Sequence, residues 1–246
     1  MVGVLDFSLY GTRDAAQNWA RCYTEVLTQA GFVRGQASVC NFHHASKDVL
    51  ITCHGDDFLI AGSLDDTRWT IEVLGAKFDI KSEILGPEEG CAKEIRILNR
   101  TIRWTPTGIE YESDSKHADT IIRDLKLEMS KPVTTPGIAE STKEDEEGTV
   151  DTWQTDHLYR GIAARLNYLS LDRPDLQYAS KGASQFMSSP SPKGWARLKR
   201  IGKYLLNRAK MVQVFPFEQK PKRITADGDS DWAGQKDDRK STSGGS

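Results

Sequence analysis

Residues 131–153 constrain the fold more than any other stretch of the chain. Across residues 140–156 seven acids (Glu140, Glu144, Asp145, Glu146, Glu147, Asp151 and Asp156) face one base, Lys143. Pro132, Pro136, Gly137 and Gly148 punctuate the same region, and apolar side chains are few. Such a stretch buries too little apolar surface to offset the entropy of ordering it, so it reads as an acidic linker between folded parts. The charge then reverses. Between residues 160 and 210 eleven bases stand against Asp172 and Asp175, interleaved with apolar residues at helical spacing. The net charge of -2 therefore averages an acidic and a basic region.

With 38% hydrophobic residues the chain can build a core, which excludes wholesale disorder. Cys22, Cys40, Cys53 and Cys91 are scattered with no CxxC pair, which argues against a zinc site or a disulfide framework and fits a reducing compartment. No apolar run approaches the roughly 18 residues needed to span a bilayer, and no basic segment followed by an apolar core opens the chain. The expectation is a soluble, intracellular product. The polar closing residues, 238–246, lack a closing element and read as an interior cut.

Periodicity predicts a mixed front part. Trp19, Cys22, Tyr23, Val26 and Leu27 fit a helix over 14–30 ended by Gly31. Strands are expected over 37–44, 48–54, 58–61 and 78–84, a helix over 65–76, a hairpin from 94–104 and 108–112 around Pro106, and a helix over 115–128. His43 and His44 point to opposite faces of their strand and cannot share a metal; an edge strand is the expectation. Beyond the linker, helices are expected over 155–170, 174–187 and 192–207, with Asp172 and Ser191 as caps or cap neighbours and Pro174 and Pro192 in first turns. Strands over 211–217 and 222–226 would lead into 227–232. The class is α+β.

The sharpest local feature is Gly55-Asp56-Asp57 between the apolar runs Ile51-Thr52-Cys53 and Phe58-Leu59-Ile60-Ala61. Turn chemistry alone accounts for Gly-Asp-Asp. The other reading is a divalent-cation site, because adjacent carboxylates repel and hard oxygen ligands suit magnesium. For Lys193, Arg197, Arg200 and Lys203 the two readings are an ordinary basic helix face and a contact with nucleic-acid phosphates.

Several blocks in order resemble the copia-type retrotransposon Pol family. The hairpin is similar to the Tyr-Xaa-Asp-Asp hairpin of reverse transcriptases, and Ser8-Leu9-Tyr10-Gly11 through Trp19 resembles the family's stretch upstream of it. Tyr159-Arg160, Asn167-Tyr168-Leu169, Arg173-Pro174-Asp175-Leu176, Phe186-Met187 and Trp195 through Ile201 resemble the helices after the palm. Asp229-Ser230-Asp231-Trp232-Ala233-Gly234 and Asp238-Arg239-Lys240-Ser241-Thr242-Ser243-Gly244 resemble the opening of RNase H.

The resemblance implies the C-terminal part of a reverse-transcriptase palm with its following hairpin over residues 1–112 and a helix over 113–130. After the 131–153 linker it implies a helical thumb or connection over 154–210 and the first strands of an RNase H-like fold over 211–246. It implies that Asp56 and Asp57 bind Mg2+ (or Mn2+), that Asp229 is the first RNase H carboxylate with Asp231 a weaker candidate, and that Tyr10, Gly11, Arg13 and Ala15 lie beneath the incoming deoxynucleoside triphosphate. Implied partners are an RNA template with a DNA primer, or an RNA/DNA hybrid, and the rest of the polyprotein, in cytoplasmic virus-like particles or the nucleus. His54, Asp14 and Ala16 stand where the family has Tyr, Gln and Pro. The family's third palm aspartate lies on a strand upstream of Ser8, where this chain offers only Asp6. The alternative is a non-catalytic nucleic-acid-binding remnant of such an element.

Overall fold

The structure, a computed structural model, describes residues 8–9, 11–137, 154–218, 223, 225–230 and 243–245. It is mixed α+β and falls into two units, Met1–Ala92 and Lys93–Ser246.

The first unit begins with α1 (Ala15–Gln29), which turns Tyr23 and Leu27 inward. It ends because Gly31 takes φ +95, letting Gly31 N–H donate to the Thr28 carbonyl and Phe32 N–H to that of Leu27. Those two bonds form a Schellman cap. Four antiparallel strands follow: β1 (Val33–Arg34), β2 (Asn41–His44), β3 (Val49–His54) and β4 (Asp57–Ala61), in that spatial order. Burial alternates along β3, so Val49, Ile51 and Cys53 face the helices while Leu50, Thr52 and His54 face outward. Helix α2 (Leu64–Gly75) starts where Ser63 Oγ accepts from Asp66 N–H, and it buries Thr70 and Leu74. Its carboxylates Asp65 and Asp66 suit the positive end of the helix dipole.

Three expectations change here. The strand expected over 37–44 forms only over Asn41–His44, because Gly35–Cys40 is a closed loop. It is an interior strand, not an edge, with His43 bonded to Asp48 and His44 packed on Phe32 and Trp69. The expected strand over 78–84 is absent. Phe78 and Ile80 instead plug the helix–sheet core as single side chains, so their alternation reflects packing without strand pairing.

The second unit starts with β5 (Glu94–Ile97), β6 (Arg100–Thr105) and β7 (Gly108–Glu112). The single hairpin expected over 94–112 is three strands, because Leu98 and Asn99 both take positive φ, 47 and 65, and turn the chain early. Helices α3 (Lys116–Asp124), α4 (Asp156–Ser170), α5 (Pro174–Ser184) and α6 (Pro192–Leu205) follow, and β8 (Val212–Pro216) returns to pair with β7. Thus strands expected in the first and last segments share one sheet, β5-β6-β7-β8. Strands β9 (Gly228–Ser230) and β10 (Ser243–Gly245) form a separate antiparallel pair. Caps match expectation at Ser191, whose Oγ accepts from Gly194 N–H, and at Pro174 and Pro192 in first turns. Asp172 is a cap neighbour, directly before Arg173, the N-cap of α5.

The acidic stretch does not divide the units. Ala118, Ile121, Ile122, Leu125 and Leu127, before it, share one core with Tyr159, Leu166, Trp195, Leu198 and Leu205, after it. Residues 138–153, most of the expected linker, lie outside the described residues. Among the described residues no helix is long and apolar enough to cross a membrane.

Asp172 and Arg173 join sheet to helices. Arg100 donates from Nε to Asp172 at 2.9 Å, and Tyr111 donates to the other carboxylate oxygen at 2.7 Å. Arg173, 1% exposed, donates to both Asp175 oxygens and to the Arg208 carbonyl, while Tyr204 donates to Asp175 at 2.8 Å. Burial pushes the Asp175 carboxyl up, but the bonds from Arg173 and Tyr204 with the Arg173 charge outweigh it and hold the group below its usual value. Its stabilisation is complete above the unfolded-state value, about 3.9, and is lost as pH falls through the lower folded-state value. Arg173→Met should therefore lower the unfolding free energy by about 3 kcal/mol in urea titrations, by leaving a half-buried carboxylate unpaired. Adding Asp175→Leu should recover part of that loss and weaken the fall in stability below about pH 4.

Candidate active site

Asp56 and Asp57 sit at the tip of the β3–β4 hairpin. The register pairs His54 with Asp57, so Gly55 and Asp56 form a two-residue turn. Gly55 takes φ +59 and Asp56 does not share that sign, the pattern of a type II′ turn, which wants glycine first. Both aspartates are exposed, and among the described residues no side-chain hydrogen bond or ion pair engages either carboxylate. Asp57 shares the open face of the sheet with His54, Thr52 and Leu59. That face also carries Leu50 and Val33, 54% and 69% exposed, with His43 between them.

The tip is held from beneath. Trp19 donates from its indole Nε1 to the Gly55 carbonyl at 2.8 Å. The same ring packs edge-on against Tyr23, Phe58 and Phe78, with Tyr23 also meeting Phe42. These aromatics fix the angle between α1 and the hairpin, since each ring contact adds about 0.5–1.5 kcal/mol beyond area burial. Burial pushes the Cys53 thiol, on the same inner face, up to about 12, so near neutrality it is protonated.

Upstream, Gly11 takes φ +91 in a turn where Thr12 N–H donates to the Leu9 carbonyl. Asn18 donates to Ser8 Oγ and to Asp14, tying the segment onto the first turn of α1. Arg13 and Ala15 lie at that helix start, and Tyr10 lies outside the described residues. Among the described residues no group of three or more His, Cys, Asp or Glu side chains could hold a metal ion. The oxygen donors of Asp56 and Asp57 have the right chemistry for magnesium.

In the second unit Asp229 lies on β9 opposite Gly244, and Asp231 lies outside the described residues. Lys193, Arg197, Arg200 and Lys203 are half-buried on α6. Arg197 donates to the Gly182 carbonyl at 3.0 Å and lies over the Phe186 ring, and Arg200 donates to Thr135 at 2.9 Å. Two of the four bases thus brace α6 against its neighbours, a use that charge counting does not reveal. Trp19 is the site residue whose role is not legible in the sequence: its spacing sets it on the apolar side of α1, and its distance of 36 residues from Gly55 hides the bond.

Trp19→Phe keeps the ring and removes the donor, so it should cost about 1 kcal/mol in urea unfolding. Gly55→Ala meets no neighbouring atom yet should cost about 1 kcal/mol through its positive φ alone. Asp56→Asn and Asp57→Asn, at exposed positions, should stay within about 0.5 kcal/mol of the parent.

No family model matches the chain, and no solved structure does. Among curated proteins it is similar to the retrovirus-related Pol polyprotein from transposon RE1 of Arabidopsis thaliana, 31% identical over 242 residues, 96% of this chain and 16% of that protein. The corresponding polyprotein from transposon RE2 of the same plant is 30% identical over 247 residues, again 96% of this chain and 16% of that protein. An uncharacterized mitochondrial protein of Arabidopsis thaliana is 28% identical over 190 residues, 77% of this chain and 74% of that protein. The chain spans 16% of the length of the Pol polyproteins it matches. Relatedness that runs along 96% of the chain places it in the family of Pol polyproteins from copia-type retrotransposons.

Proposed function

We propose that this chain is the part of a retrotransposon reverse transcriptase that carries the metal-binding hairpin, followed by thumb-like helices and the start of RNase H. The observation that carries this reading is the Trp19–Gly55 bond. It joins two segments that resemble the family independently, the Ser8–Trp19 stretch and the Asp56–Asp57 turn, and sets the carboxylates at an exposed tip.

In the intact parent Asp56 and Asp57 would hold Mg2+ or Mn2+, which supplies charge stabilisation for nucleotidyl transfer from deoxynucleoside triphosphates onto a DNA primer paired with an RNA template. The chain's own residues orient the two carboxylates by the tight turn and hold the turn on α1. Strand β4 is an edge strand, so its outer backbone groups are open to a further strand. The upstream aspartate-bearing strand of the family would join there. Asp229 would begin the RNase H site. Virus-like particles in the cytoplasm, or the nucleus, are the compartments that fit this role. The second reading is a non-catalytic remnant. It is favoured by the similarity to a mitochondrial protein of which the chain covers 74%, since that protein stands apart from a full polyprotein.

The test is primer extension on an RNA template with magnesium. A polypeptide extended upstream in the parental reading frame should synthesise DNA, and Asp56→Asn or Asp57→Asn should lower the rate at least ~100-fold. Full activity in both variants overturns the assignment. The chain by itself should give no product, because it holds only part of the carboxylate set.

The basic helices give a second outcome. Binding to duplex or hybrid should weaken with salt, with a slope of about -0.9 per neutralised phosphate on B-form DNA. Charge reversal at Lys193 and Lys203 should flatten that slope by about one unit for each phosphate no longer neutralised. A salt-independent affinity would leave α6 with a structural role alone.

A further inference from the structure

Cys40 and Cys53 stand opposite each other at the end of the β2–β3 pair. The paired register ends at Asn41↔Thr52; Cys40 and Cys53 are the next residue on each side, joined by the Cys53 N–H bond to the Cys40 carbonyl at 2.9 Å. Directly opposed residues of an antiparallel pair project to one face, with Cα atoms about 5.5 Å apart at a hydrogen-bonded position. A disulfide spans about 4.4–6.8 Å between Cα atoms. The thiols also sense each other: after burial, charge on Cys40 is the next cause that raises the Cys53 pKa. Cys40 is exposed, whereas Cys53 is buried. The loop bearing Cys40 is fixed in place. Gly35 N–H donates to the Asn41 carbonyl at 2.7 Å, Asn41 N–H to that of Ser38 at 3.2 Å, and Arg34 Nε to that of Val39 at 2.6 Å.

We propose that Cys40 and Cys53 are an oxidation-sensitive dithiol that closes to a cross-strand disulfide by exchange with a small-molecule disulfide such as oxidised glutathione. The exposed Cys40 thiolate attacks one glutathione sulfur and displaces a glutathione thiolate, leaving a mixed disulfide. Cys53 then gives its proton to solvent and attacks the Cys40 sulfur, displacing the second glutathione thiolate. The chain loses two electrons and two protons, and one glutathione disulfide becomes two thiols. Exposure sets the order, because an external disulfide reaches Cys40 and only Cys40 reaches Cys53. The high Cys53 pKa slows the second step near neutrality and lets it quicken as pH rises. The bond closes three positions before Asp56, so it couples thiol oxidation to the strand that presents the aspartates.

The test uses the full chain, oxidised glutathione at about pH 8.5, alkylation in denaturant and tryptic mapping. Trypsin places the four cysteines in separate peptides, 22–34, 35–47, 48–68 and 82–93. The expected product is peptide 35–47 cross-linked to 48–68, with loss of two of the four thiols, reversal by dithiothreitol, and no such cross-link in Cys40→Ser. Cross-links that involve Cys22 or Cys91 instead, glutathione retained on Cys40 while Cys53 is alkylated, or four unreacted thiols would each overturn the proposal.

Discussion

A buried guanidinium organises the second unit. Arg173 is nearly inaccessible to water, so its charge is tolerable only with a full set of acceptors. It finds them on the helix that follows it and at the end of α6, while the preceding Asp172 reaches three strands through Arg100, Tyr111 and Gln213. One tetrapeptide, Asp172-Arg173-Pro174-Asp175, therefore decides where α4 stops, where α5 starts and how the sheet meets the bundle. Much of the tetrapeptide's resemblance to the family is thus explained by architecture, without any need for chemistry at those positions.

The parts of the fold legible in the sequence are those decided within a few residues. The period of α1, the alternation of β3, the glycine turn at Gly55 and the proline starts of α5 and α6 all follow from neighbours in sequence. The parts that were not legible depend on distant partners. Nothing near residues 212–216 announces that they pair with β7, and nothing in Leu98-Asn99 beyond the asparagine announces a left-handed turn. Phe78 and Ile80 alternate like a strand, yet tertiary packing uses each ring and branch singly.

The candidate site divides in the same way. The position of Asp56 and Asp57 at a hairpin tip was readable from the apolar runs beside them. Their support was not, because it comes from an indole on another element. Two adjacent carboxylates projecting into water do little for stability, and the stabilisation lies below them in five aromatic rings and one hydrogen bond. α6 is the reverse case: a helix that looks open and basic in sequence commits two guanidiniums to hydrogen bonds with neighbouring segments, at the Gly182 carbonyl and the Thr135 hydroxyl.

The shared core of α3 with α4 and α6 has a genetic corollary. A split of the coding sequence within codons 138–153 would leave α3 on one polypeptide and its packing partners on the other. The first product would keep the core of the first unit, but its α3 would expose the apolar stripe that α4 and α6 cover, and the second product would expose the faces that α3 covers. The two halves are therefore suited to reassembly as complementing fragments, with α3 returning to the groove between α4 and α6.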